Sequence, residues 1–164
     1  MAYAQAWQSI FRQKLGLQTS QDSDIQLIER LLQAMHDSSV DFTSFFRQLS
    51  QVKLEQAIEK ITLRDQFVDR VVIDQWFTDY LERLTSESSQ DAARIQAMKL
   101  VNPKYILRNH LAQAAIDKAQ QHDFSEVTLL MNILSKPYDE QPEHEEYAAP
   151  PPADLERVAV SCSS

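Results

Sequence analysis

The most reactive side chain in this sequence is the thiol of its single cysteine, Cys162, the third residue from the end. Serine residues flank it on both sides, so we expect the thiol to be exposed and within reach of oxidants or of a second cysteine. No basic residue stands next to it to activate the thiolate, and a lone cysteine cannot form a disulfide within the chain. Redox chemistry at Cys162 would therefore need a second thiol from elsewhere, and an inert tail cysteine is the alternative.

A second group of residues with binding potential follows Asn102-Pro103, a pair typical of a helix start, with Asn as N-cap and Pro at the first position. Lys104 and Arg108 stand four residues apart in that predicted first turn, where the helix dipole does not favour cations. We expect these side chains to meet acidic side chains or a surface rich in carbonyl groups, and an exposed basic face is the alternative. The interface candidates are Asn102, Lys104, Tyr105, Arg108 and Asn109.

The remaining polar residues do not predict a catalytic, metal or cofactor site. The four histidines are not spaced in pairs and have no cysteine nearby, so no metal-ligand spacing is present. Glu55 with Glu59 and Asp65 with Asp69 fit solvated helix faces at least as well as a paired-carboxylate active site. The acidic run from Asp139 to Glu146 lacks the regular spacing of a calcium loop.

The composition limits the functions that this chain could perform by itself. A net charge of −8 disfavours binding to nucleic acid and to anionic membranes, because both require clustered Lys and Arg. One glycine in 164 residues argues for helices and against a phosphate-binding loop built wholly within this chain. Neither a secretory signal nor a run long enough to span a bilayer is visible, which predicts an intracellular protein.

Apolar residues recur at helical spacing along most of the chain, as at Phe42, Phe45, Phe46 and Leu49 behind the predicted N-cap Asp41. Gly16 is the expected C′ residue that ends the first helix. The pattern predicts an all-α fold, an irregular bundle of about six to eight helices over residues 1–136. Proline and acidic residues then predict an extended tail over residues 137–164.

Two stretches resemble the selenoprotein O (YdiU-like) family of protein adenylyltransferases. Residues 102–116 read NPKYILRNHLAQAAI and match the family signature NPxxxLRNxLAQxAI, and residues 160–164, VSCSS, resemble the family's terminal sequence. Softer matches are spread over the rest of the chain in order. The resemblance implies that this chain corresponds to the C-terminal helical region of such an enzyme.

The resemblance also implies an activity, although not one located in this chain. Members resemble protein kinases and transfer AMP from ATP, with magnesium, to protein hydroxyl groups, using a kinase-like region that precedes the part seen here. No residue of that catalytic machinery can be carried over. Cys162 matches the place where some members have selenocysteine, which implies a redox-active or redox-regulated tail.

From the resemblance we expect the partners to be the kinase-like region of the parent protein and the parent's protein substrates. The expected location is cytoplasmic if the protein is bacterial, or mitochondrial as for eukaryotic members. The function predicted for the chain is therefore structural or regulatory support of an adenylyltransferase. The alternative is a stand-alone helical module that binds another protein.

Overall fold

A computed structural model describes residues 2–151 of the chain, and Cys162 lies outside these residues. The chain divides into two compact units, Met1–Asn102 and Pro103–Ser164. Between residues 2 and 151 there are seven α-helices and three short 3-10 helices, without a β-strand. This confirms the all-α fold predicted from the spacing of apolar residues and the scarcity of glycine.

The first unit contains five α-helices, and two 3-10 helices lie in the connection between the third and the fourth. They are α1 (Ala2–Leu15), α2 (Asp24–Asp37), α3 (Phe42–Leu49), α4 (Arg70–Ser86) and α5 (Asp91–Val101), with 3-10 helices at Ile58–Lys60 and Thr62–Gln66. Asp41 caps α3 as predicted, because its side chain accepts a hydrogen bond from the backbone N–H of Ser44 at 2.8 Å.

Aromatic side chains of α3 and α4 form the centre of this unit. Trp76 and Tyr80 are buried and stacked, with their ring centroids 5.0 Å apart, and Phe45 packs edge-on against Trp76. The polar atoms of both large rings are satisfied: the Trp76 indole donates to the Leu27 carbonyl, and the Tyr80 hydroxyl donates to the Leu15 carbonyl, each at 2.8 Å. These two bonds tie α4 to the ends of α2 and α1.

Gly16 ends α1 with a positive φ of 72°. The Leu17 N–H donates to the Arg12 carbonyl at 2.9 Å, which is the hydrogen bond of a Schellman ending and confirms the predicted C′ glycine. A Cβ atom at Gly16 would lie 2.7 Å from the side chains of Arg94 and Met98 on α5. Only glycine therefore allows α5 to pack this closely against the end of α1.

A buried ion network joins α2 and α4. Arg83 is 6% exposed and donates to Asp24 at 2.7 Å and to Glu87 at 3.0 Å. Glu87 also accepts the backbone N–H groups of Gln18 and Thr19, each at 3.1 Å. Burial disfavours the Glu87 carboxylate, but these hydrogen bonds outweigh burial and lower its pKa.

The second unit contains α6 (Asn109–Gln120), α7 (Ser125–Leu134) and a 3-10 helix at Pro142–Ala148. The proline-rich composition predicted an extended segment there, whereas Pro142 at the first turn lets a 3-10 helix form without losing a needed N–H. The domain boundary predicted between residues 136 and 137 stays a prediction based on composition. The two compact units of the chain meet after Asn102.

The prediction that a helix begins at Asn102 is wrong. Asn102 is extended and ends α5, with its N–H donating to the Met98 carbonyl at 2.8 Å, and α6 begins only at Asn109. The backbone N–H groups of Lys104 and Tyr105 both donate to the Pro137 carbonyl, at 2.8 and 3.1 Å. Because these donors point to another segment, residues 103–108 form a loop rather than a first helical turn.

Candidate functional site: a basic loop that holds the acidic segment

Lys104 lies in the loop of residues 103–108, here called the basic loop, and its ammonium group faces residues 137–148, here called the acidic segment. Its Nζ donates to Glu140 at 2.7 Å and also pairs with Glu145, while the Lys104 side chain is 12% exposed. Burial disfavours the charged ammonium, but the hydrogen bonds to Glu140 and Glu145 outweigh it and raise the pKa of Lys104. Lys104 therefore stays charged across the physiological range and holds two acidic side chains.

Tyr105 anchors the acidic segment through its ring and its hydroxyl. The residue is 1% exposed, and its hydroxyl donates to the Gln141 carbonyl at 2.9 Å. The Gln141 amide in turn donates to the carbonyls of Ile133 and Lys136, at 3.1 and 3.0 Å, and so satisfies backbone groups at the end of α7. Tyr105 and Gln141 thus connect the basic loop, the acidic segment and the end of α7.

The last turn of the acidic segment has two further attachments. The Arg108 guanidinium donates to the Ala148 carbonyl at 3.3 Å, and the Tyr147 hydroxyl donates to Glu126 on α7 at 2.9 Å. Burial, and then the hydrogen bond to the Glu126 carboxylate, raise the pKa of Tyr147 to about 12. The acidic segment is therefore held at its beginning, middle and end within the second unit.

Asn102 performs a different structural task, in the first unit. It is fully buried, its amide donates to the Lys14 carbonyl at 2.9 Å, and it accepts from Lys14 Nζ at 3.3 Å. The Asn102 carbonyl accepts from Arg47 at 3.1 Å. Asn102 therefore joins the ends of α1, α3 and α5, and its side chain does not cap a following helix.

Among the five interface candidates, the structure brings Lys104, Tyr105 and Arg108 together on the acidic segment, whereas Asn102 lies in the first unit and Asn109 is exposed at the start of α6. The expectation of acidic and carbonyl partners for Lys104 and Arg108 agrees with the contacts that the second unit supplies. A role in contacting another region of a longer protein stays a prediction. Sequence reasoning did not pair Lys104 with Glu140 and Glu145, although the opposite charges of the two segments were a signal.

The basic loop and the acidic segment together form a structural clamp, in which Lys104, Tyr105 and Arg108 bind the acidic segment. Within residues 2–151 no group of three His, Cys, Asp or Glu side chains could hold a metal ion. The only glycine of the chain is committed to the tight contact of α1 with α5.

Helices α6 and α7 also form an apolar groove on their outward face, with a volume of about 490 Å³. Its lining includes the large apolar side chains of Leu107, Ile116, Leu130, Met131 and Leu134. Met131 is 68% exposed, Leu107 57% and Ile116 49%, so three neighbouring apolar side chains of the groove are open to solvent. The sequence analysis did not identify this groove.

None of the helices in the part described is both long and apolar enough to cross a membrane.

Nearly the whole chain is similar to part of a family of longer proteins. The family model described as "Protein adenylyltransferase SelO" matches residues 1–135. A protein named "Protein nucleotidyltransferase YdiU" from Herminiimonas arsenicoxydans is 51% identical over 163 residues, which are 99% of this chain and 33% of that relative. A protein of the same name from Cupriavidus metallidurans is 49% identical over 162 residues, covering 99% of this chain and 30% of the relative. The chain thus spans about one third of the length of the curated relatives it matches.

Proposed function

Since this chain belongs to the family of the protein adenylyltransferase SelO, we propose that it is the helical C-terminal part of an enzyme that transfers AMP from ATP to protein hydroxyl groups. Its role in that enzyme is structural and regulatory, and it has no catalytic site of its own. ATP, magnesium and the protein substrate bind to the kinase-like region outside this chain. The longer protein acts in the cytoplasm, where ATP is available.

The observation that carries this proposal is the combination of high identity and partial coverage. Identity of 51% over 99% of the chain supports a shared fold and role, while the matched region is only 33% of the relative from Herminiimonas. The remaining two thirds of the relative's length can accommodate a catalytic region. The commitment of Gly16 to helix packing further supports a nucleotide site located elsewhere, because a phosphate-binding loop requires free glycines.

The clamp on the acidic segment supports a regulatory role for the chain's end. Contacts of Lys104, Tyr105 and Arg108 hold the backbone as far as Ala148. Fourteen positions separate Ala148 from Cys162 (162 − 148), which at full extension span at most about 50 Å. We propose that Cys162 forms a disulfide with a cysteine outside this chain, and that the clamp is the fixed point from which the last stretch of the chain starts.

The test compares the longer protein encoded by the same gene with the isolated 164-residue chain. We expect the longer protein to transfer labelled AMP to a protein acceptor in the presence of ATP and magnesium, and the isolated chain to transfer none. Isothermal titration calorimetry should detect no ATP binding by the isolated chain. Tight, magnesium-dependent ATP binding by the isolated chain would overturn the proposal.

The proposed role of Cys162 has a separate readout. Mass spectrometry of the oxidised longer protein should find Cys162 in a disulfide with a cysteine from outside this chain. A free Cys162 thiol under oxidising conditions would remove the redox part of the proposal and leave the adenylyltransferase part standing.

A further inference from the structure

The groove between α6 and α7 is apolar, and several of its side chains are exposed to solvent. The groove is walled on α6 by Ala112, Ala115 and Ile116, and on α7 most prominently by Leu130 and Met131. Glu126 is the only charged residue among the ten of α7, and it points to Lys118 and Tyr147. A groove with this composition favours an apolar occupant over water.

We propose that this groove receives an apolar helix from the part of the longer protein that lies outside this chain. The proposal rests on the proposed function in one respect, the existence of a longer polypeptide, and it adds the surface and the chemistry of the contact. The occupant presents Leu, Ile or Phe side chains at positions i, i+3, i+4 and i+7, as helices that fill a groove between two other helices do.

The shape of the groove favours a helix. On α6 the wall residues Ala112 and Ala115 have small side chains, whereas Met131 of α7 is long and flexible. Small side chains let another helix axis approach to roughly 8 Å, and a methionine adapts its shape to the surface that covers it. A third helix laid between α6 and α7 would complete a three-helix arrangement around these residues.

The size of the face argues against a second copy of this chain as the occupant. Helix α7 has 10 residues and is therefore about 15 Å long, and two packed helices are about 20 Å wide. The face then measures roughly 300 Å², whereas a stable association of separate proteins buries about 800 Å² on each partner. A small face suffices when the partner is covalently linked, because its effective concentration is in the millimolar range.

The length of the relatives indicates where such a linked partner would come from. This chain covers 33% of the Herminiimonas relative and 30% of the Cupriavidus relative, so most of each polypeptide lies outside the matched region. A helix from that part can reach the groove without a separate association step. The groove is thus a contact between regions of one protein rather than a site for a free ligand.

Methionine oxidation gives a direct test, because Met131 lies in the groove and two other methionines serve as references. Met131 is 68% exposed, whereas Met35 and Met98 are 4% and 0% exposed in the first unit. Dilute hydrogen peroxide is applied to the isolated chain and to the longer protein, and sulfoxide at each methionine is measured by peptide mass spectrometry. Slow oxidation of Met35 and Met98 shows that the first unit is folded in each preparation.

We expect Met131 to be oxidised at least about tenfold more slowly in the longer protein than in the isolated chain. Equal oxidation in both would overturn the proposal. Protection in the isolated chain that depends on its concentration would identify a second copy as the occupant, and protection lost on removing residues 152–164 would identify the chain's own end. Either of those results would also overturn it.

A pair of variants in the longer protein provides a matched control. Met131→Glu puts a charge into the groove, and Asn132→Glu puts the same charge on the next residue of α7, which is exposed outside the groove. Met131→Glu should lower the thermal midpoint of the longer protein by at least about 3 °C, with little change for Asn132→Glu. In the isolated chain both variants should keep the parent midpoint, and identical behaviour of the two variants in the longer protein would contradict the proposal.

These outcomes are independent of the test of the proposed function. Loss of AMP transfer by the longer protein with Met131 still protected would refute the enzymatic proposal alone. Transfer of AMP with Met131 fully reactive would refute the docking proposal alone.

Discussion

Replacing Tyr105 by Phe removes one hydrogen bond of the clamp and leaves its shape intact. The Tyr105 hydroxyl donates to the Gln141 carbonyl at 2.9 Å, and the residue is 1% exposed, so the phenyl ring keeps the same packing. Losing a donor of this kind destabilises the contact by about 1 kcal/mol. An energy difference of about 1 kcal/mol corresponds to a roughly fivefold change in an opening equilibrium.

Hydrogen exchange measured by mass spectrometry reads this change locally. In Tyr105→Phe we expect about fivefold faster exchange of amides that depend on the clamp, such as the N–H groups of His144 and Ala149, which donate to Gln141 and Glu146. The core amides of α4 should exchange at the parent rate, because Tyr105 and α4 belong to different compact units.

Two comparisons make the result interpretable. Tyr3→Phe makes the same chemical change at a residue that is 84% exposed, and it should leave exchange unaltered. The single variant Lys104→Met should destabilise the clamp less, by about 0.5 kcal/mol, because the partners Glu140 and Glu145 are half exposed and their charges are screened by water. Exchange that rises less than about twofold in Tyr105→Phe, or rises equally throughout the chain, would refute the clamp.

Two further predictions concern the first unit. Gly16→Ala should lower the free energy of unfolding, measured in urea, by about 2–4 kcal/mol. About 1 kcal/mol of this comes from the positive φ, and about 1–3 kcal/mol comes from the contacts of the new Cβ with Arg94 and Met98. A loss under about 1 kcal/mol would contradict this reasoning. Because the folded pKa of Glu87 is lowered, its stabilisation is present above its ordinary pKa of 4.5 and is lost as pH falls through the folded value. Glu87→Gln should therefore be less stable than the parent at neutral pH. The difference in urea titrations should shrink as the pH is lowered below 4.5. An unchanged difference would show that Glu87 contributes nothing through its charge.

The sequence by itself determined the helical class, the end of α1 and the start of α3, because these features depend on neighbours within a few positions. Apolar spacing fixes a helical face, and a C′ glycine adopts the positive φ without the strain that a Cβ atom would cause. Asp41 accepts from an N–H only three residues away. The family signature in residues 102–116 was also readable, since it is a contiguous pattern.

Only the tertiary structure decided what the signature residues do. Asn102 and Pro103 have the local pattern of a helix start, but the side chain of Asn102 is taken by the Lys14 carbonyl, 88 positions away. Lys104 forms ion pairs with Glu140 and Glu145 because hydrogen bonds to the Pro137 carbonyl hold the basic loop beside the acidic segment. Local propensity is worth a few tenths of a kcal/mol to about 1 kcal/mol per residue, so several buried hydrogen bonds to distant segments outweigh it and convert a predicted helix into a loop.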